Sequence, residues 1–230
     1  MVMRIEVLNM AEASAKIERP RQVSELVLER LRRDIIENRF SLGEKISEAQ
    51  LSELYGVTKA PIRSAYIRLQ GEGLIDIRPQ SGTFVFRPTA DELRALCELR
   101  TALEIEAVRL AMSRDAVGLE ADFLRICNAM DNALRVRSHD IYQQLDTELH
   151  LCIIGRAGSP LLDKTYRSQV NSCFAALRWR FSRDEQHTSN SISEHMALRE
   201  AVVTRDTPKM QALLRAHIGY TENYYARIVM

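Results

Sequence analysis

The feature that most limits the fold of this 230-residue chain is where its apolar period changes. Up to Gly73 apolar residues recur at helical spacing. From Leu74 to Phe86 they alternate, and beyond Pro88 the helical period returns for the rest of the chain. Val23, Leu26, Val27, Leu31, Ile35 and Ile36 form the stripe of a first helix over 21–38, broken by Phe40–Glu44 with its Gly43. Ser47 starts a short second helix, with Gln50 placed to complete a capping box and Gly56 to end it. A third helix begins after Thr58, with Pro61 in its first turn, and runs through Ile62, Ala65, Tyr66 and Leu69 to Gly71 and Gly73. Leu74, Ile75 and Ile77, then Phe84 and Phe86 beyond the turn Pro79-Gln80-Ser81-Gly82, predict a two-stranded hairpin.

Six amphipathic helices are expected after Pro88: about 90–114, opened by a Thr89/Glu92 capping box, then roughly 118–136 and 140–156. The fourth is capped by Ser159 with Pro160 at its first position, the fifth by Ser191 and Glu194, and the sixth opens at Thr207-Pro208. The expected fold is therefore mainly α. A loose tail over 1–20 precedes a winged helix-turn-helix domain over 21–87 and an all-α helical bundle over 88–230.

Composition narrows the function classes. A net charge of +1 gives no global pull toward polyanions, so any basic patch is local. One exists: between Thr58 and Arg87, Lys59, Arg63, Arg68, Arg78 and Arg87 face only Glu72 and Asp76. Cys97, Cys127, Cys152 and Cys173 are widely spaced within apolar stripes, as reduced core thiols of a cytoplasmic protein would be. No signal peptide or membrane-spanning run is present, so no membrane partner is expected.

Helix, turn, helix and wing in this order predict a reader of double-stranded DNA. Thr58, Lys59, Arg63, Arg68, Arg78, Ser81 and Gly82 are the candidate contacts. Arg63 suits a bidentate contact to guanine and Lys59 a phosphate or single acceptor, while Ser81 and Gly82 allow close backbone approach at the wing tip. In the helical half, Asp146 and His150 lie one turn apart on one helix face, with His195 and His217 in later helices. One carboxylate and three imidazoles suit zinc, nickel or manganese and leave a position for water or a small molecule. Spacing alone leaves open that these are ordinary histidines. His139 and His187 sit near helix ends in polar surroundings and are expected to be solvated.

The run from Leu51 to Arg63, Leu69–Leu74 and Gly82-Thr83-Phe84-Val85 together resemble GntR-type regulators over about residues 23–85. Ala49 stands where the family often has Arg, and Lys59-Ala60 where it has Arg-Thr, so the operator of relatives does not transfer. The helical half resembles the FadR-branch effector domain in its six-helix, VanR-like form. Glu98-Leu99-Arg100, Leu103-Glu104, Asp146-x-x-x-His150, Glu194-His195 and His217 carry that likeness. It implies a divalent metal on Asp146, His150, His195 and His217, with zinc first and nickel or manganese as alternatives. It also implies a pocket reached by Arg100, with Asn171, Arg178, Ser191 and Trp179 as weaker candidates. Ser159 stands near a position where that family often has Asn.

The expected function is a homodimeric transcriptional regulator, acting as a repressor on a pseudo-palindromic operator and released by a small organic acid bound at the metal. Its rivals are a sensor of the metal itself, a purely structural metal, and a metal-dependent hydrolase. Against the last, no further Glu, Asp or His is spaced as a general base.

Overall fold

A computed structural model describes residues 22–180 and 185–229. The expected tail over 1–20 and the side chain of His187 lie outside the described residues. Helix α1 (Val23–Ile36) buries Val27, Leu28, Leu31 and Ile35 against α3 (Lys59–Gly71), whose inner face is Ile62, Ala65, Tyr66 and Leu69. Between them, α2 (Glu48–Tyr55) starts at Ser47, whose hydroxyl accepts from the Gln50 N–H at 3.1 Å. The box is half formed: no side-chain bond returns from Gln50 among the described residues. Gly56 ends α2 with φ of 65°, a left-handed conformation that favours glycine. Thr58 precedes α3 without a side-chain capping bond.

Strands β1 (Ile75–Arg78) and β2 (Gly82–Val85) pair antiparallel, Ile75 opposite Val85 and Arg78 opposite Gly82. The segment read from sequence only as a break adds a third edge. Lys45 bridges Phe84, Ile46 N–H donates to the Thr83 carbonyl at 2.9 Å, and Val85 N–H donates to that of Glu44 at 2.8 Å. The segment is too short to show alternation, and its pairing depends on β2 being in place.

The second half comprises α4 (Ala90–Arg114), α5 (Ala116–Arg135), α6 (His139–Arg156), α7 (Pro160–Tyr166), a π-helical turn (Arg167–Asn171), α8 (Ser172–Arg180), α9 (Glu185–Val203) and α10 (Thr207–Val229). The expected fourth helix is thus α7 and α8 joined through the π turn. The Thr89/Glu92 box is complete, with bonds of 2.8 and 3.2 Å. Pro160 is at the first helical position, but Ser159 makes no side-chain cap. Ser191 and Glu194 do not open a helix. α9 begins at Glu185, and the two residues sit within it because their side chains serve the interior described below.

Helix α8 separates the two halves and touches both. Arg180 Nη2 donates to the Phe40 carbonyl at 2.9 Å, and Cys173 Sγ lies 3.6 Å from the Gly73 carbonyl. From the π turn, Gln169 donates to the Gly71 carbonyl at 3.2 Å. Glu72, just past α3, is paired with Arg32 at 2.6 Å and accepts from Ser172 at 3.4 Å. No described helix is long and apolar enough to cross a membrane.

Thr89→Ala removes the capping bonds to the Glu92 backbone and side chain. It is expected to lower unfolding free energy by about 1 kcal/mol. This would be read as a lower urea midpoint at unchanged slope, and an unchanged midpoint would contradict the capping role.

Candidate metal centre and DNA-reading face

Three helices of the bundle deliver the expected ligand set to one point. α6 brings Asp146 and His150 on one face, α9 brings His195 and α10 brings His217, all at most 5% exposed. One ligand nitrogen from each of the three histidines falls within 4.8 Å of the others. Asp146 Oδ1 lies 3.0 Å from His195 Nε2 and 4.0 Å from His150 Nε2.

The outer ring nitrogens are taken. His150 Nδ1 lies 2.8 Å from Glu104 Oε2, His217 Nδ1 lies 2.6 Å from Glu194 Oε2, and His195 Nδ1 lies 3.4 Å from the Tyr142 hydroxyl. A carboxylate partner requires an N–H, so Nδ1 carries the proton on His150 and His217 and Nε2 carries the lone pair, which on His150 accepts from Arg100 Nη2. Burial pushes His150 down to about 3, Glu104 opposing and Arg100 reinforcing, and burial with the neighbouring His195 pushes His217 down as well. Both imidazoles are therefore neutral at neutral pH, as metal ligands must be.

Two arginines offset the carboxylates. Burial alone would raise Asp146, but Arg178 and His195 hold it well below the carboxylate range. Arg178 contacts Asp146 Oδ2 directly. Glu104, also opposed by burial, is held low by Arg100 and His150. It receives Arg100 Nε at 2.7 Å and the Tyr166 hydroxyl at 2.6 Å. Arg100 Nη2 lies 2.8 Å from His150 Nε2, and its guanidinium stacks 4.3 Å from the centre of the Phe174 ring.

Among the described residues, five buried side-chain polar atoms have no hydrogen-bond partner: Asp146 Oδ1, His195 Nε2, Arg100 Nη1, Arg178 Nη2 and Arg180 Nε. The first two belong to the expected ligand set, and the next two are donors beside it. The donor set therefore fits a divalent cation.

The effector candidates divide. Arg178 and Ser191 line a narrow crevice over the cluster, with Tyr142, Thr188 and Thr221. Arg100 forms a wholly buried wall behind His150 and pairs with Glu104, but not on the surface. Asn171, the last residue of the π turn, lies elsewhere, in a surface crevice with Arg32 and Glu72. Trp179 is half-buried and does not line the crevice. Glu104, Tyr142, Tyr166 and Glu194 were given no site role from sequence. The i, i+4 spacing of Arg100 and Glu104 was the available signal for one of them.

On the first half, Thr58, Lys59, Arg63 and Arg68 are exposed on or before α3, and Arg78 and Ser81 are exposed on the wing. Gly82 has φ of 122° and packs under Lys45, an exposed cation beside the wing that sequence reasoning passed over. Arg68 pairs with Glu25 and Arg78 with Asp76.

Residues 23–85 match the model of bacterial regulatory proteins of the gntR family, and residues 95–220 match the FCD domain. The chain belongs to the GntR family. It is 31% identical over 184 residues to the Nta operon transcriptional regulator of Aminobacter aminovorans, covering 78% of this chain and 83% of that one. It is 24% identical over 196 residues to the HTH-type transcriptional repressor RspR of Escherichia coli K12, covering 85% and 86%. Its fold is similar to that of a putative GntR transcriptional regulator from Rhodococcus sp. RHA1, at TM-score 0.76 and 20% identity over 87% of this chain and 96% of that one. This GntR protein is thus a transcriptional regulator with an FCD effector domain, and its matched relatives are regulators rather than enzymes.

Glu104→Gln leaves Arg100 charged and poorly compensated in the bundle wall, and is expected to cost about 3–5 kcal/mol. Both Glu104 and Asp146 titrate below their ordinary range in the folded state. Their contribution is therefore complete above their unfolded values and is lost as pH falls through the folded ones. Unfolding free energy should fall on acidification below about pH 4.5, the ordinary glutamate value, and less steeply in Glu104→Gln. Parallel pH–stability curves for the two proteins would contradict the assignment.

Proposed function

We propose that this regulator senses a small organic acid bound at a divalent metal in its helical half, and that binding releases it from its operator. The observation that carries this reading is the buried convergence of Asp146 with one ligand nitrogen from each of His150, His195 and His217, those nitrogens lying within 4.8 Å of one another. A carboxylate and three imidazoles gathered away from water offer a divalent cation a ready coordination set. Asp146, His150, His195 and His217 would hold it, with zinc first and nickel or manganese as alternatives. When bound, the ion supplies a fixed positive charge in a low-dielectric cavity.

The chain's own residues do the rest. Asp146 and Glu104 are already offset by Arg178 and Arg100, so the loaded pocket carries excess positive charge and favours an anion. Arg178 Nη2 is an unpartnered donor in the crevice wall, suited to a carboxylate. The hydroxyls of Tyr142 and Ser191 line the same crevice.

Arg178 also gives the response a route. It sits on α8, the helix that docks on the winged half through Arg180 and Cys173. An acid that draws Arg178 from Asp146 shifts α8 and with it the winged half. Two chains paired through their helical halves would present two such heads to a pseudo-palindromic site, and a changed spacing lowers affinity. Relatives named as repressors support that sign of response.

A second reading is a structural metal without an acid, favoured by the burial of ligands that tie α6, α9 and α10 together. A thermal-shift screen of metal-replete and metal-stripped protein against sugar acids, hydroxy acids, dicarboxylates and aromatic acids separates the two. The sensor reading expects an acid that raises Tm only with metal present. Arg178→Ala should abolish that shift and leave metal content unchanged. No acid-dependent shift, with a large loss of stability on stripping, would favour the structural metal.

A further inference from the structure

Arg63 stands on the exposed face of α3, one turn beyond Lys59, where a helix in the major groove reads base edges. Its side chain is 64% exposed, yet it does not project freely. The Nε–H donates to both carboxylate oxygens of Glu48, at 2.8 and 2.9 Å. Glu48 is the first residue of α2, fixed in place by the Ser47 cap. Arg63 further lowers the Glu48 carboxyl, so the partner is an anion throughout the neutral range.

The choice of nitrogen matters. With Nε held from behind, neither terminal nitrogen has a partner among the described residues. The Nη1/Nη2 edge stays open, and a guanidinium offers two parallel donors to guanine O6 and N7. Arg68 differs, being paired through a terminal nitrogen, and Arg78, though also held at Nε, is held on the wing by Asp76 of its own strand rather than on α3.

An exposed ion pair contributes little to stability. A carboxylate on a face that meets phosphates also opposes DNA binding. Its effect at this place is therefore on orientation. We propose that Glu48 is a specificity-determining positioning residue, holding Arg63 with its outer edge toward a guanine and weakening sequence-independent binding at the same time. This inference does not depend on the metal or the acid.

The test selects preferred sequences for the full-length protein from randomised duplexes. Arg63→Ala, Glu48→Ala and Glu48→Gln are then measured against the selected duplex, its single-base variants and a scrambled duplex. Arg63→Ala should lose the preference for one G·C pair in each half-site. Glu48→Ala should lose discrimination at that same pair by roughly tenfold. Its affinity for the scrambled duplex should rise, because a negative charge has left the DNA face. Glu48→Gln, which keeps an acceptor but not the charge, should fall between, and it carries the comparison if the alanine variant melts early. The proposal is overturned if Glu48→Ala tightens binding to all duplexes by one factor, or relaxes a pair other than the one Arg63 governs. It is equally overturned if Arg63→Ala leaves the preference intact.

Discussion

Two carboxylates and two guanidiniums are sealed inside the helical half, and the interior is organised around keeping them paired. An isolated charge there would cost several kcal/mol, so each is held by a partner and by further hydrogen bonds. Arg100 lies between Glu104 and His150, with Phe174 under its guanidinium, and Tyr166 donates to the same Glu104 oxygen as Arg100 Nε. Arg178 answers Asp146. Carboxylates also orient the histidines: the buried Glu104 fixes the proton of His150 on Nδ1, and the more exposed Glu194 does so for His217. The cost of burying charge and the geometry of the candidate ligand set are thus met by the same side chains.

That interior is not isolated from the winged half. Helix α8 presents Phe174 and Arg178 inward and Cys173 and Arg180 toward the first half. Burial lowers Arg180 to about 10, and its Nε has no partner, so its bond to the Phe40 carbonyl is made at a desolvation cost. The π turn over Arg167–Asn171 precedes these residues and changes which faces of the helix look inward. Such turns relieve a helix of its ideal register where side chains must meet two surfaces. In the proposed reading this shared helix is what lets a pocket ligand reach the DNA-reading heads.

Much of this was legible in the residues. The change of period at Leu74 located the wing, the Thr89/Glu92 pair located the first bundle helix, and the i, i+4 spacing of Asp146 and His150 survived intact in α6. What sequence concealed has a common cause. Ser191-x-x-Glu194 has the spelling of a helix start, but both residues are polar because Ser191 lines the crevice and Glu194 holds His217. Local pattern cannot separate a cap from an interior polar contact. Asn171 falls outside the crevice, on a π turn that no apolar period announces. The third edge of the wing at Lys45 depends on a partner strand forty residues away.

The central claim is that the three imidazoles and Asp146 hold an ion. Elemental analysis of the full-length protein, combined with X-ray absorption at the edge of whatever metal is found, tests this most directly. The account predicts about one equivalent per chain, with a first shell of imidazole nitrogens and oxygen and no sulfur. Protein that is purified and then equilibrated with zinc, nickel and manganese in turn, yet retains no stoichiometric metal, would contradict it. So would a shell containing cysteine sulfur.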